Sequence, residues 1–147
     1  IVEILFNLIE PTKVFFGEKD FQQLKIIEQF ILQNNLKINL IKCPSIRDLN
    51  GMSYSSRYST FNQNQRLQFD ECAKIINSKL INLKKKFNQE ILQSIKYELK
   101  NFGISKIDYC EVRNEENLSL SNINERSRLF IAFYLSKIRV IDNFILY

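Results

Sequence analysis

The chain has 147 residues, of which 45% are hydrophobic and 25% charged, and its formal net charge is +5. A compact chain of this length buries roughly 70% of the surface it exposes when unfolded, so its stability requires neither a metal nor a disulfide. The absence of histidine excludes Ser-His and Cys-His nucleophiles and every zinc site that needs histidine. The three glycines never stand at the spacing of a dinucleotide fingerprint or a P-loop.

Cysteine usage and hydropathy predict the compartment. Cys43, Cys72 and Cys110 are far apart and form no C-x-x-C pair, which predicts buried thiols in a reducing cytoplasm. No apolar run approaches the ~20 residues of a membrane span, so we expect no membrane partner. The lysine excess accompanies a general bias toward Ile, Asn, Lys, Phe and Tyr, and we therefore expect no nucleic-acid partner.

The first 48 residues predict alternating helices and strands. Apolar residues at positions 1, 4, 5 and 8 form a helical stripe, and Lys13–Phe16 is a short β-type run that ends at Gly17. The chain begins at Ile1 inside this apolar pattern, which favours a piece of a longer protein.

A second helix and a second strand follow. Asp20, with Gln23 three residues later, predicts a capped helix start, and Ile38–Ile41 predicts a strand. Strand, helix and strand with short joins form a βαβ unit with a parallel strand pair. Because two parallel strands are too few to stand alone, this region predicts the tail of a larger α/β sheet.

The rest of the chain predicts a loop and a small α+β domain. Residues 44–60 lack periodicity, and we assign residues 49–59 to a functional loop because long loops are uncommon. Thr60 and Gln63 predict a capping box at the start of residues 60–147. One helix then presents an apolar stripe, the next stops at Gly103, and three β-type runs close the chain. The stripe of the first helix consists of Phe69, Cys72, Ala73, Ile76, Leu80 and Leu83. The apolar positions of the second helix are Phe87, Ile91, Ile95 and Leu99. The three β-type runs are Lys106–Arg113, Arg128–Leu135 and Lys137–Ile145.

Two segments carry residue types suited to phosphate. Gly17–Asp20 lies where a strand ends and a helix begins, the edge of a parallel sheet at which ligands bind. There Gly17 allows a turn and a close approach, Lys19 supplies positive charge, and Asp20 can accept ribose hydroxyls. Residues 54–57, Tyr-Ser-Ser-Arg, add hydroxyls and a guanidinium on a loop.

These segments resemble the C-terminal half of the pantothenate synthetase (pantoate–β-alanine ligase) family. The resemblance rests on FGEKDFQQL, on a P-x-x-R-x-x-x-G loop ending in SSR, and on LFNLIEPTKVFFGEKD, IDYCEVRN and RLFIAFYLSKIRVIDN. It implies a Rossmann-like nucleotidyltransferase domain whose tail is residues 1–48, followed by a C-terminal lid domain, residues 60–147. It also implies that ATP activates pantoate as pantoyl adenylate, which β-alanine then converts to pantothenate.

The resemblance also implies site residues, with Mg²⁺ accompanying ATP and with no metal held by protein ligands alone. The implied catalytic residues are Lys19, Ser55, Ser56 and Arg57. The implied ATP-binding residues are Gly17, Glu18, Lys19, Asp20, Ile46 (through its backbone), Tyr54, Ser55, Ser56 and Arg57, the last four on a mobile loop. Gln23 would bind pantoate.

Three positions depart from the family pattern. Asn50 stands where Asp is usual, Tyr54 replaces a smaller apolar residue, and Tyr58 follows the Arg where Asn is usual. The family's N-terminal half, with its H-x-G-H helix start, is absent from these residues. We therefore expect the missing half, or a separate chain that carries it, to be a partner, the complete enzyme to be a homodimer, and the isolated chain to be inactive.

Two alternatives remain open at this point: a fragment of another adenylate-forming or nucleotidyl-transferring enzyme, and a non-catalytic basic binding module. If one ATP contacts both segments, Lys19 and Arg57 point into a common cleft. We also expect residues 60–147 to be more stable alone than residues 1–48.

Overall fold

The computed structural model describes residues 1–121 and 126–147, and the chain divides into two compact units, Ile1–Ser45 and Ile46–Tyr147. The division falls between Ser45 and Ile46, whereas the sequence predicted a domain boundary near residue 48. In chain order the elements are α1 (Val2–Ile9), β1 (Lys13–Gly17), a 3-10 helix (Glu18–Asp20), α2 (Phe21–Gln33), β2 (Asn39–Cys43), a second 3-10 helix (Ser56–Thr60), α3 (Gln63–Lys85), α4 (Gln89–Asn101), β3 (Lys106–Asn114), β4 (Ser127–Leu135) and β5 (Ile138–Ile145).

The first unit contains the predicted parallel strand pair. β1 and β2 pair in parallel from Lys13 opposite Asn39 to Gly17 opposite Cys43, with α2 connecting them. Its small core joins one residue of α1 with two of α2. These residues are Phe6, Ile27 and Ile31. The strand–helix–strand prediction is therefore confirmed.

Much apolar surface of the first unit is exposed. Phe15 in β1 is 65% exposed although it lies in a strand. Most of the apolar side chains of α1 are exposed as well, and they are Ile4, Leu5, Leu8 and Ile9. No helix in the described ranges has the length and hydropathy needed to cross a bilayer.

The second unit places two helices against a three-stranded sheet, as predicted. Its strands pair antiparallel in the order β3-β4-β5. Ser136 takes the left-handed conformation (φ 54°) in the β4–β5 turn where glycine is usual. The predicted stripe of α3 is buried at all six positions. In α4 the predicted Ile95 and Leu99 are buried together with Leu92, which was not predicted, whereas the predicted Ile91 and Phe87 are only partly buried against the core, and Phe87 precedes the helix.

The predicted helix start at Asp20 is confirmed without its side-chain bond, and the second predicted capping box is wrong. Asp20 is the N-cap of α2, but its side chain makes no capping bond within the described residues, because a 3-10 turn precedes the helix. The second box lies two residues later than predicted, with Asn62 and Gln65 bonded reciprocally. Thr60 instead donates its hydroxyl to the Arg57 carbonyl (2.6 Å).

The cysteine prediction holds for two of three residues. Cys72 and Cys110 are buried, and burial raises the pKa of each thiol to about 12. Cys43 is only half-buried, because it ends β2. All three are free thiols.

Candidate functional site

The first group of predicted site residues lies at the carboxyl end of β1. Gly17 ends the strand, and Glu18, Lys19 and Asp20 form the 3-10 helix that leads into α2. Gln23 is exposed in the first turn of α2, three residues after the N-cap. The local fold thus brings these five residues into one stretch at a strand-to-helix junction.

The predicted reason for Gly17 is wrong in one respect. Its backbone has φ −71° and ψ 137°, a conformation open to any residue, so the turn itself does not require glycine. A Cβ built on Gly17 has no described atom within 4 Å. Glycine at this position leaves space beside the strand end, and the close approach of a ligand remains a prediction.

The second group begins with a short hairpin-like segment in the second unit. Arg47 and Ser53 form an isolated antiparallel bridge, and the Tyr54 N–H donates to the Ile46 carbonyl (3.0 Å). Gly51 makes the turn at φ 84°, and a Cβ there would lie 2.8 Å from the Asn77 Nδ2. Residues 44–60 therefore contain regular structure that the missing periodicity did not predict.

The Ser55–Arg57 segment forms a hydrogen-bonded turn. Ser55 caps the 3-10 helix Ser56–Thr60 and accepts the Arg57 N–H at its hydroxyl (3.3 Å). Arg57 is exposed, and its guanidinium donates to the Arg139 carbonyl on β5 (3.1 Å). Tyr54 is 62% exposed. Two hydroxyls, a guanidinium and an exposed aromatic ring thus occupy one surface segment, a set that can bind a phosphorylated ligand.

Two departures from the family pattern have local explanations. The Asn50 Nδ2 donates to the Asp70 carboxylate (3.0 Å), where an aspartate would oppose a second negative charge. Tyr58 packs on Phe61 and Phe69, with ring centroids 5.2 and 4.4 Å away. Burial raises the pKa of Tyr58 far above its ordinary value. Asn50 and Tyr58 therefore stabilise the segment through contacts with α3.

Sequence reasoning missed an ion pair between the half-buried Arg47, which precedes this segment, and the fully buried Asp142. The Arg47 Nη1 lies 3.1 Å from the Asp142 Oδ2, and the Asp142 side chain is fully buried. The same carboxylate oxygen accepts the Ser53 N–H (2.8 Å). A signal for it was available, because Asp142 interrupts the apolar alternation of β5 that includes Val140 and Phe144.

The two groups of site residues belong to different units. Gly17–Asp20 and Gln23 lie in the first, and Ile46 and Tyr54–Arg57 in the second. A common cleft for Lys19 and Arg57 remains a prediction. No cluster of three or more acidic or cysteine side chains suited to a metal ion occurs among residues 1–121 and 126–147.

Sequence comparison matches the whole chain to one family. The sequence profile of the family described as Pantoate-beta-alanine ligase matches residues 1–145. The chain is 34% identical over 150 residues to a pantothenate synthetase of Pseudothermotoga lettingae, covering 99% of this chain and 53% of that protein. It is 37% identical over 152 residues to a pantothenate synthetase of Christiangramia forsetii, covering 97% of this chain and 52% of that protein.

Structural comparison finds the same fold in two solved structures. A pantothenate synthetase from Thermus thermophilus superposes with a TM-score of 0.87 at 23% identity, over 99% of this chain and 54% of that one. A pantoate-beta-alanine ligase from Francisella tularensis, complexed with beta-gamma ATP and beta-alanine, gives 0.76 at 25% identity, over 99% and 48%.

These matches decide between the interpretations left open by the sequence. The chain spans about half the length of the curated relatives it matches. The match over residues 1–145 favours this family over a fragment of another adenylate-forming or nucleotidyl-transferring enzyme and over a non-catalytic basic binding module. By its profile match over residues 1–145, the chain belongs to the pantoate-beta-alanine ligase family.

Proposed function

We propose that this chain supplies part of the ATP site and the C-terminal domain of a pantoate–β-alanine ligase. In the proposed reaction the pantoate carboxylate attacks the α-phosphorus of ATP, and pyrophosphate leaves. The amine of β-alanine then attacks the carbonyl carbon of pantoyl adenylate, and AMP leaves. The observation that carries the proposal is the family match over residues 1–145. The Francisella tularensis ligase, whose structure is a complex with beta-gamma ATP and beta-alanine, supports the same substrates.

The first unit would be the tail of a Rossmann-like domain. Its parallel strands carry Gly17–Asp20 at their carboxyl end, the edge at which such sheets bind nucleotides. There Lys19 would neutralise phosphate charge as the α-phosphorus is attacked, while Asp20 would accept the ribose hydroxyls. Gln23, exposed one turn into α2, would hydrogen-bond pantoate.

The second unit would contact the phosphates and adenine from its surface segment. Ser55, Ser56 and Arg57 would donate to phosphate oxygens, beside Tyr54, and Ile46 would present its backbone to the adenine. Arg57 would exchange its bond to the Arg139 carbonyl for one to phosphate, a charge-assisted and stronger bond. In this proposal Lys19, Ser55, Ser56 and Arg57 are the catalytic residues.

Mg²⁺ would arrive with the nucleotide. With Asp20 assigned to the ribose, the residues near Gly17 offer one further carboxylate, that of Glu18, and no three-ligand cluster occurs in the described ranges. This set fits Mg²⁺, which keeps several waters and binds one or two carboxylates together with substrate phosphates. The ion would supply charge neutralisation for pyrophosphate departure.

The complete enzyme would require the half that the relatives have and this chain does not span. The exposed apolar face of α1 and the exposed Phe15 are surfaces that such a half could cover. We further propose a homodimer in the complete enzyme and a cytoplasmic location, which the free thiols support.

The first experiment measures ATP binding to the chain with Mg²⁺ by calorimetry. Lys19→Ala should weaken ATP binding about tenfold or more, since a hydrogen bond to a charged group contributes roughly 1.5–3 kcal/mol. Lys37→Ala is the matched control, because Lys37 lies exposed at the amino end of β2 in the same unit. Equal affinities of both variants and the wild type would contradict the assignment of Lys19.

The second experiment measures pantothenate formation by the purified chain, alone and mixed with the N-terminal half of the Christiangramia forsetii relative. We expect turnover only in the mixture, and Gln23→Ala should then raise the KM for pantoate more than that for ATP. Robust turnover by the chain alone would contradict the dependence on a missing half.

A further inference from the structure

We propose that Arg47 and Asp142 are positioning residues that hold the segment Tyr54–Arg57 on β5 in a conformation ready to bind nucleotide. The inference rests on the proposed function, because that function assigns Tyr54–Arg57 to ATP. Neither Arg47 nor Asp142 was among the predicted site residues. All the contacts that carry the inference lie within the second unit, Ile46–Tyr147.

Asp142 is the fixed point of the arrangement. Its carboxylate is fully buried on β5 and receives two donors at one oxygen, the Arg47 Nη1 (3.1 Å) and the Ser53 N–H (2.8 Å). Its other oxygen accepts the Asn143 N–H (2.8 Å). Removing Arg47 would leave this fully buried carboxylate without its cation, which is costly, whereas the Arg47 side chain itself stays 31% exposed.

Arg47 connects both arms of the hairpin-like segment to β5. Besides Asp142, its guanidinium donates to the Gly51 carbonyl (2.8 Å) and to the Asn143 carbonyl (2.6 Å). It also stacks over the Phe144 ring, 4.5 Å from the centroid. A planar fork with three oxygen acceptors and a ring beneath it has one orientation, which lysine cannot reproduce.

The segment that would bind ATP follows directly from this anchor. Ser53, bonded to Asp142, precedes Tyr54, whose N–H donates to the Ile46 carbonyl (3.0 Å). At the other end of the segment, Arg57 donates to the Arg139 carbonyl, which is also on β5. The Arg47–Asp142 ion pair therefore fixes the position at which the exposed segment begins. The exposed hydrogen bond from Arg57 to the Arg139 carbonyl can be replaced by a bond to a ligand.

This arrangement predicts an effect on affinity as well as on stability. The apparent dissociation constant of a ligand rises in proportion as the binding-competent fraction falls, so a drop from near unity to about one tenth weakens binding about tenfold. Without the anchor, the segment would have to be ordered by the nucleotide itself. No contact between ATP and Arg47 or Asp142 is needed for this effect.

The test compares variants of the full chain at a temperature where each remains folded by circular dichroism. Arg47→Met keeps the stem over Phe144 and removes the fork, Arg47→Lys keeps the charge, and Asp142→Asn removes the acidic partner. Lys79→Met is the matched control, since Lys79 forms an ion pair with Glu98 (2.8 Å) that joins α3 and α4 of the same unit and involves no residue of the segment. The readouts are amide exchange at Ser53 and Tyr54 without nucleotide, and ATP affinity by calorimetry.

We expect Arg47→Met and Asp142→Asn to speed exchange at Ser53 and Tyr54 and to weaken ATP binding about tenfold, with Arg47→Lys intermediate and Lys79→Met unchanged. Unchanged exchange in folded Arg47→Met would overturn the positioning role. Faster exchange with unchanged ATP affinity would show that Arg47 and Asp142 contribute only to stability, and it would overturn the inference as well.

Failure of the proposed function has a different signature, because neither the wild-type chain nor its mixture with the N-terminal half of the Christiangramia forsetii relative would then bind ATP, while the nucleotide-free exchange differences persisted. That result would also overturn the link from Arg47 and Asp142 to nucleotide. If Arg47→Met does not fold, amide exchange and ATP affinity are measured on Arg47→Lys instead, and the same outcomes support or overturn the inference.

Discussion

The two units differ in how completely each buries its own apolar residues. The second unit collects side chains from α3, α4 and all three antiparallel strands into one core, with Phe133, Ile95 and Leu129 fully buried. In the first unit, by contrast, Phe15 is 65% exposed and most apolar side chains of α1 face outward. A three-stranded sheet covered by two helices on one face can bury its apolar side chains between the two layers. A two-stranded parallel pair with one connecting helix is too small to do so.

The largest expected effect comes from separating the units. Residues 46–147 produced alone should show a cooperative thermal transition, and residues 1–45 should show none, because the first unit has only a small core. Circular dichroism against temperature is the measurement. A cooperative transition in residues 1–45 would contradict the comparison.

Starting the second fragment at residue 60, as the sequence alone suggested, sharpens the same test. This cut removes Met52, which is fully buried in the core, and Arg47, the partner of buried Asp142. An uncompensated buried charge costs about 3–5 kcal/mol. We therefore expect residues 60–147 to unfold at a clearly lower temperature than residues 46–147, and equal unfolding temperatures would contradict this account.

The next effect concerns one phenylalanine from each unit. Phe133→Ala should lower the free energy of unfolding by about 3–5 kcal/mol, since it empties a fully buried position in β4. Phe15→Ala should change it by no more than about 0.5 kcal/mol, because the ring is mostly exposed. Urea unfolding of the full chain measures both, and a large loss from Phe15→Ala would show that the first unit depends on that ring.

The glycines give a smaller contrast of the same kind. Gly51→Ala should destabilise by about 1–3 kcal/mol, because the residue has φ 84° and the new Cβ would lie 2.8 Å from the Asn77 Nδ2. Gly17→Ala should leave the free energy of unfolding unchanged or raise it by about 0.4–1 kcal/mol, since its φ is −71°. Similar losses from both substitutions, measured by urea unfolding, would refute this distinction.

The smallest effect is a pH dependence in the first unit. Burial opposes ionisation of Glu28, but hydrogen bonds from Lys25 and Lys42 outweigh it, so the pKa of Glu28 is lowered from its ordinary value of 4.5. Stability from this carboxylate is present above that value and disappears as the pH falls through the lowered pKa. Glu28→Gln should therefore cost about 0.5–1 kcal/mol at pH 7 and clearly less at a pH well below 4.5. An equal cost at both pH values in urea unfolding would contradict the assignment.

Local sequence determined most of the elements and their type. The apolar stripe of α3, the β-type runs of the three closing strands and the helix stop at Gly103 each depend on residues within one turn or one strand. The candidate segments at Gly17–Asp20 and Tyr54–Arg57 were also visible, because short motifs carry them. The second capping box was misplaced by two residues, since several Asx, Ser or Thr residues near a helix start can compete, and only the path of the incoming chain selects one.

Contacts between distant residues decided the rest. Arg47 meets Asp142 across 95 positions, and Asn50 meets Asp70 across 20, so no local pattern could pair them. The need for glycine at position 51 likewise depends on Asn77 of α3 filling the space where a Cβ would lie. Local periodicity therefore determined which elements form, while tertiary structure alone decided which polar groups lie buried beneath the surface segment, because a buried charge is stable only where folding brings its partner to it.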